Sequence, residues 1–152
     1  GNYNEIGEGR GEGFTVNVPL AKGTDDAAYL RVFREIVGPV SHAFRPDLVL
    51  ISAGFDAHLR DPLGGMGVSE EGFAAMMGIL GAVADETARG RVALILEGGY
   101  DLIALERSVA EVLRVLLGER DAPKELEGDA DYADAVIQKV KTQLGPWWSF
   151  AS

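Results

Sequence analysis

The sequence contains no cysteine and only two histidines, His42 and His58, among its 152 residues. The absence of cysteine excludes disulfide bonds, thiol nucleophiles and metal sites built from thiolates. A chain without thiols is compatible with the cytoplasm, and we predict a cytoplasmic location. His42 falls off the apolar stripe of a predicted helix, which is typical of a solvated residue.

Long hydrophobic runs are also lacking. No apolar run reaches the length that is needed to span a bilayer, so we predict no membrane association. Residues 1–5 are polar and acidic, without the basic and hydrophobic parts of a signal peptide. The chain does not start with methionine, which fits a fragment whose start is missing and equally fits a trimmed chain.

Positive charge is scarce, since 14 lysines and arginines stand against 24 aspartates and glutamates and the formal net charge is −10. An acidic surface repels the phosphates of nucleic acids, so we predict no nucleic-acid partner. The same charge suits a cationic partner, such as a lysine-rich tail or a polyamine. It also serves solubility alone, and that simpler explanation stays open.

The rest of the composition is that of a globular protein, with 47% hydrophobic and 25% charged residues. A chain of this length can build one hydrophobic core. We predict a single domain over residues 1–152, with its core at about 14–118. An acidic linker is expected at 119–130, followed by a terminal helix and an aromatic tail at 131–152.

Apolar runs alternate with segments of helical periodicity along the chain. The runs at 48–52 and 92–96 are continuous, which is typical of buried parallel strands. Residues 14–20 are rich in β-branched side chains and are predicted as a further strand. Helices are predicted at 25–44 with a kink at Gly38 and Pro39, at 69–88, at 102–117 and at 131–144. The fold class is therefore α/β and three-layer, with a mainly parallel sheet and helices on both faces.

Polar residues follow the second and third predicted strands directly. The second strand leads to Asp56 and His58, and the third leads to Glu-Gly-Gly-Tyr-Asp at residues 97–101. Parallel strands bind ligands at the edge formed by their carboxyl ends, so these two loops are predicted to converge there. Aspartate and glycine are also ordinary turn formers, and without further evidence the pattern fits plain loops better than a site.

Three motifs carry a resemblance to a known family. They are the glycine-rich stretch and strand at residues 7–20, Ser-Ala-Gly-Phe-Asp-Ala-His at 52–58 with Asp-Pro-Leu-Gly-Gly at 61–65, and Leu-Glu-Gly-Gly-Tyr-Asp at 96–101. In this order they resemble the histone deacetylase superfamily over roughly the first 120 residues. The similarity is greatest to its class II-like bacterial branch, with acetoin-utilisation proteins and acetylpolyamine amidohydrolases. The resemblance implies an arginase-like fold and a zinc ion held by two aspartates and one histidine.

The resemblance assigns roles to five residues of this chain. It implies that Asp56 is a zinc ligand and that Tyr100 stabilises the oxyanion that forms during amide hydrolysis. It places Leu63 in the wall of the substrate channel. Gly98 and Gly99 match the glycine loop that lines this channel and carries the tyrosine.

The family's remaining motifs are absent. In the family, the other two zinc ligands and a pair of adjacent histidines that supplies the general base lie upstream of the matched motifs. The resemblance gives no ligand role to His58, which we predict to lie in a loop or at the rim of the site. We expect this chain to be the carboxy-terminal part of a Zn²⁺-dependent deacetylase domain, inactive alone, with its remaining ligands upstream of Gly1. The implied substrates are acetylated lysine in proteins or peptides and acetylated polyamines.

Two other hypotheses remain open at the level of sequence. The chain could be a non-catalytic interaction module that keeps part of this fold. It could also be a nucleotide-binding doubly wound domain, with Gly98 and Gly99 beside a phosphate. The second alternative requires a glycine fingerprint between a strand and a helix, and Glu-Gly-Gly-Tyr is a poor match to it.

Overall fold

A computed structural model of the chain describes residues 1–150. Helices and strands alternate in its central part. The helices are α1 (Asp26–Val32), α2 (Gly38–Phe44), α3 (Glu70–Thr87), α4 (Leu102–Leu116) and α5 (Asp134–Leu144), and the strands are β1 (Val49–Ala53) and β2 (Val92–Leu96). Short 3-10 turns lie at Gly9–Gly11 and Ala130–Ala133. None of the helices within residues 1–150 is long and apolar enough to cross a membrane.

Strands β1 and β2 pair in parallel, with Val49 opposite Val92 and Ala53 opposite Leu96. Helix α3 connects them, which confirms the predicted α/β class and the parallel sheet. One face of the sheet packs on α3 and α4 through a cluster of buried side chains. This cluster consists of Ala53, Phe55, Val68, Phe73, Met76, Met77 and Val112. On the opposite face Leu50 is 62% exposed, so residues 1–150 leave that side of the sheet uncovered.

The strand predicted at residues 14–20 is wrong, because this segment pairs with no strand within residues 1–150. Its alternating side chains Val16, Val18 and Leu20 are nevertheless partly buried, against a second core cluster built by α1 and α5. The alternation of apolar residues therefore marks the buried side of an extended segment. A strand also needs a neighbour for its backbone hydrogen bonds, and the amino-acid pattern of one segment carries no information on that neighbour.

The predicted helix at 25–44 is one continuous helical segment with an altered middle. Residues Phe33–Val37 form a π-helical stretch between α1 and α2. The N–H of Gly38 bonds the carbonyl of Phe33, five residues earlier. Pro39 follows directly and has no N–H to donate, so the predicted irregularity at this point takes the form of a widened turn.

The aromatic tail packs back onto the amino-terminal segment. Trp148 is buried, and its indole Nε1 donates a hydrogen bond to the carbonyl of Gly13 at 2.6 Å. Its ring meets Phe14 edge to face, with 5.4 Å between ring centroids. Together with α1 and α5 it closes the second core cluster, whose buried members are Ala28, Val32, Ile36, Ala133, Ile137, Val140, Leu144 and Trp148.

Candidate active site

The loops that follow β1 and β2 meet at the carboxyl edge of the sheet, as predicted. The N–H of Phe55 donates to the carbonyl of Gly98 at 2.9 Å, and the N–H of Glu97 donates to the carbonyl of Ala53 at 3.1 Å. These bonds extend the ladder of the two strands into the loops. The backbones that carry Asp56 and Tyr100 are thereby fixed relative to one another.

The carboxylate of Asp56 lies against two glycines. A Cβ added to Gly98 would lie 2.8 Å from Cγ of Asp56, and a Cβ added to Gly54 would lie 3.0 Å from its Oδ1. The distance at Gly98 is shorter than real Cβ contacts, and the distance at Gly54 is tighter than most of them, so the missing side chains at both positions leave room for the carboxylate. The nearby phenol of Tyr29 has its pKa raised by burial and further by the negative charge of Asp56. Tyr29 lies in α1 and is a neighbour of the site that the sequence motifs do not indicate.

Gly99 shapes the turn that carries Tyr100. Its φ of 130° lies in a region that other residues rarely adopt. A Cβ at this position would also lie 3.0 Å from Cδ1 of Leu105 and 3.2 Å from Cβ of Phe55. Only glycine fits both conditions, which explains the second glycine of the Glu-Gly-Gly-Tyr motif by local geometry.

Asp61 connects the two loops through hydrogen bonds to their backbones. The family resemblance assigns it no role. Asp61 is 8% exposed. Its Oδ2 accepts the N–H of Tyr100 at 2.7 Å, and its Oδ1 accepts the N–H groups of Leu63 at 2.8 Å and Gly64 at 3.0 Å. Burial by itself raises the pKa of Asp61, but backbone N–H groups, first that of Tyr100, outweigh burial and hold the pKa below its usual value.

A signal for part of this arrangement is present in the sequence. An aspartate side chain often bonds the backbone two or three residues further on, and the Asp-Pro-Leu-Gly order fits such a turn. The bond from Tyr100 spans 39 residues of sequence, and no local pattern indicates it.

Tyr100 and Leu63 present their side chains to solvent. The side chain of Tyr100 is 57% exposed and that of Leu63 is 71% exposed. Their backbone N–H groups bond the same carboxylate, so the two exposed side chains flank a common anchor. The arrangement can offer a phenol O–H donor and an apolar wall to a molecule that approaches this edge of the sheet. The roles given to Asp56, Leu63, Gly98, Gly99 and Tyr100 stay predictions.

His58 lies in the predicted loop. Its side chain is 2% exposed, so of the two predicted positions the structure supports the loop and not the rim of the site. Its Nδ1 accepts the N–H of Arg60 at 3.0 Å, and its Nε2 lies 3.5 Å from Oε2 of Glu70. The ring stacks on Phe73, with 6.5 Å between centroids. A ring whose faces and nitrogens are enclosed in this way belongs to the interior of the loop.

Two carboxylates beside the predicted site have structural partners. Asp101 caps α4, since its side chain accepts the N–H of Ala104 at 2.8 Å, and it pairs with Arg60 at 3.2 Å. The bond from Ala104 and then the charge of Arg60 lower the pKa of Asp101. Glu97 accepts the hydroxyl of Ser52 at 2.5 Å. Asp101 thus acts at the start of α4, and Glu97 acts just after the end of β2.

The residues of the described chain do not form a complete metal site. A zinc site requires three protein ligands. Within residues 1–150 no group of three histidine, cysteine, aspartate or glutamate side chains is placed to hold a metal ion. A three-ligand zinc site that includes Asp56 would therefore need at least one ligand from outside residues 1–150.

Several known proteins resemble this chain. The relatives named here are eukaryotic, and the expected bacterial branch is not supported. Histone deacetylase 14, chloroplastic, of Arabidopsis thaliana is 40% identical over 144 residues, which are 95% of this chain and 34% of that protein. Histone deacetylase HDA1 of Saccharomyces cerevisiae is 37% identical over 153 residues, which are 98% of this chain and 21% of that protein. The chain thus spans about a third or less of the length of these relatives.

Solved structures agree with the sequence comparison. The crystal structure of the HDA15 HD domain superposes with a TM-score of 0.86 at 36% identity, over 97% of this chain and 39% of that one. The histone deacetylase Clr3 superposes with a TM-score of 0.84 at 33% identity, over 96% of this chain and 24% of that one. The family model described as "Histone deacetylase domain" matches residues 1–116. The chain belongs to the histone deacetylase family.

Proposed function

We propose that this chain is the carboxy-terminal part of a zinc-dependent deacetylase domain that hydrolyses the amide of acetylated lysine in proteins. The observation that carries the proposal is the convergence of the Asp56 and Tyr100 loops, joined by the hydrogen bond from Phe55 to Gly98. Two residues with complementary chemistry for amide hydrolysis are thereby held at one edge of a parallel sheet, where such folds bind ligands.

Asp56 is proposed as one oxygen ligand of the zinc ion. Zinc is a Lewis acid that lowers the pKa of a bound water, which is the chemistry that amide hydrolysis needs. The glycines at 54 and 98 leave space around the carboxylate. The remaining ligands and the general base are proposed to lie outside residues 1–150, and we expect this chain alone to be inactive.

Tyr100 is proposed as the donor to the oxyanion. When water attacks the amide carbon, the carbonyl oxygen gains negative charge, and a fixed O–H donor stabilises that charge. Tyr100 suits this task, because its backbone is held by the hydrogen bond to Asp61 while its exposed phenol can reach a substrate. Leu63 is proposed to pack against the methylenes of the acyl-lysine chain, and Gly98 and Gly99 are proposed to line the same channel.

Acetylated lysine is the preferred substrate over acetylated polyamines. The relatives named above are called histone deacetylases, and a net charge of −10 attracts lysine-rich protein tails at long range. A cytoplasmic location remains a prediction.

A non-catalytic interaction module of the same family is the second candidate. It is favoured by one observation, the absence of a complete metal-ligand group from residues 1–150. The two candidates differ in whether the full-length natural protein that carries this sequence turns over an acetylated substrate.

The test is Tyr100→Phe in that full-length protein, assayed for kcat on an acetyl-lysine peptide and for zinc by elemental analysis. Loss of one oxyanion donor lowers kcat by about 10²–10³-fold in known cases, and zinc should remain bound. Tyr132→Phe is the matched control, since Tyr132 is 56% exposed and lies before α5. Equal activity of the wild type and Tyr100→Phe would remove the oxyanion role. An inactive wild type that still binds acetylated peptides would favour the interaction module.

A further inference from the structure

The buried carboxylate of Asp61 is a feature of the site that has no role in the function proposed above. Three backbone N–H groups from two separate loops converge on it. Each oxygen accepts from a different loop. Oδ2 accepts the N–H of Tyr100 in the loop after β2, and Oδ1 accepts the N–H groups of Leu63 and Gly64 in the loop after β1. One side chain therefore connects the two residues that flank the predicted substrate channel.

We propose that Asp61 is a positioning residue, which fixes the backbone of Tyr100 relative to Leu63 so that the phenol and the channel wall face the same substrate. This inference rests on the function proposed above for these two residues. Asp61 itself touches backbone amides and acts on the reaction only through them.

The backbone around Tyr100 explains why an anchor is needed. The two residues before it, Gly98 and Gly99, have no side chains that could hold the turn in place, and glycine is the residue with the greatest backbone freedom. The Tyr100 ring is mostly exposed, so packing does not fix it either. The ladder bonds between the two loops end at Gly98, and the bond from the Tyr100 N–H to Asp61 holds the backbone of Tyr100 itself.

The chemistry of the donors requires a carboxylate at this position. All three groups are N–H donors, and only an ionised aspartate offers acceptors on both of its oxygens. An asparagine has nearly the same shape but turns one acceptor into an NH₂ group. That NH₂ group would face a backbone N–H of one loop. The N–H would lose its hydrogen bond and remain as a partly buried donor without an acceptor.

The experiment compares Asp61→Asn with the wild type in the full-length natural protein. We expect kcat on an acetyl-lysine peptide to fall at least about tenfold with zinc content unchanged, because small misplacements of a reacting group are costly. The same substitution in a Tyr100→Phe background should change kcat less than about twofold, because its effect passes through the phenol. A kcat that is unchanged, or that falls equally in both backgrounds, would overturn the proposal.

Asp26→Asn is the matched control for loss of stability. Asp26 is another partly buried aspartate that joins distant segments, accepting the N–H of Ser69 at 2.7 Å and its hydroxyl at 2.5 Å. It lies at the start of α1. We expect its loss to lower the melting temperature and to leave kcat of the folded protein unchanged. Equal losses of kcat in Asp26→Asn and Asp61→Asn would reduce Asp61 to a stabilising role.

Amide hydrogen exchange provides a measurement that needs no activity. The Tyr100 and Leu63 amides should exchange slowly in the wild type, and at least one of them faster in Asp61→Asn. If the wild type has no deacetylase activity, the proposed function fails, and the exchange rates still decide whether Asp61 anchors both loops. Rapid exchange of the Tyr100 amide in the wild type would contradict the anchoring role of Asp61, even if Asp61→Asn does not fold.

Discussion

The carboxylate of Asp56 lies over the backbone of Gly98, so close that a Cβ on that glycine would fall 2.8 Å from Cγ and 3.0 Å from Oδ2. A predicted metal ligand thus occupies the space beside a predicted channel glycine. The absence of a side chain at residue 98 makes space for the carboxylate at residue 56. This gives the glycine a steric role that is separate from any contact with substrate.

Gly98→Ala should displace the Asp56 carboxylate. We expect a loss of zinc affinity of roughly 10-fold or more in the full-length protein, since shifts of groups around a ligand have effects of this size. Metal competition with a chelator measures it. Gly11→Ala is the control, because a Cβ there has no neighbour within 4 Å. Unaltered zinc affinity in Gly98→Ala would contradict the proposed ligand role or the contact itself.

Asp56→Asn should remove bound zinc more completely than any other aspartate substitution in this chain. The amide keeps the size of the side chain but loses the charge that a divalent cation requires. Elemental analysis after dialysis gives the zinc content. Asp47→Asn serves as the control, since Asp47 precedes β1 at the other end of the sheet. Full zinc occupancy in Asp56→Asn would exclude Asp56 from the ligand set.

Ile36→Ala should destabilise the protein by about 2–5 kcal/mol, the usual range for a truncated buried side chain. Ile36 lies in the π-helical stretch after α1 and is fully buried in the second core cluster. Ile103→Ala, at a half-exposed position in α4, should cost less than about half of that amount. Denaturant unfolding monitored by circular dichroism compares them. Equal midpoints for the two variants would show that the second cluster does not stabilise the fold.

The protein should lose stability in acid through Glu35. Hydrogen bonds from Lys141 and then from Arg31, at 2.7 Å each, lower the pKa of Glu35. A carboxylate whose pKa is lower in the folded state contributes stability above its ordinary pKa, near 4.3, and loses it as the pH falls through the folded value.

Glu35→Gln should therefore flatten the decline of melting temperature below about pH 4.3, the ordinary pKa of glutamate. It should also lower the melting temperature at pH 7, where the ion pairs are intact. Glu119→Gln, at an exposed position, should follow the wild-type pH profile. If Glu35→Gln retained the full acid decline, the lowered pKa of Glu35 would not be its source.

The sequence by itself determined where most of the helices start. Asp25 and Ser69 are the first residues of the helices predicted at 25–44 and 69–88, Asp101 precedes the helix predicted from 102, and each accepts a backbone N–H of the first turn. The last helix, predicted from 131, begins at Asp134 after a 3-10 turn. Such caps depend on residues three positions apart, so the necessary chemistry is contained in a short segment. The convergence of the two loops was also predictable, because it follows from parallel strands.

Tertiary structure decided what depends on distant partners. Residues 14–20 have the composition of a strand, but their neighbour is a helical core. His58 lies in a polar loop, yet the fold places its ring on Phe73. From the sequence, Asp61 is an ordinary turn residue. In the fold, the loop after β2 places the N–H of Tyr100 where Asp61 accepts it. Local sequence fixes which bonds a residue can make, whereas the packing of distant segments selects which of them form.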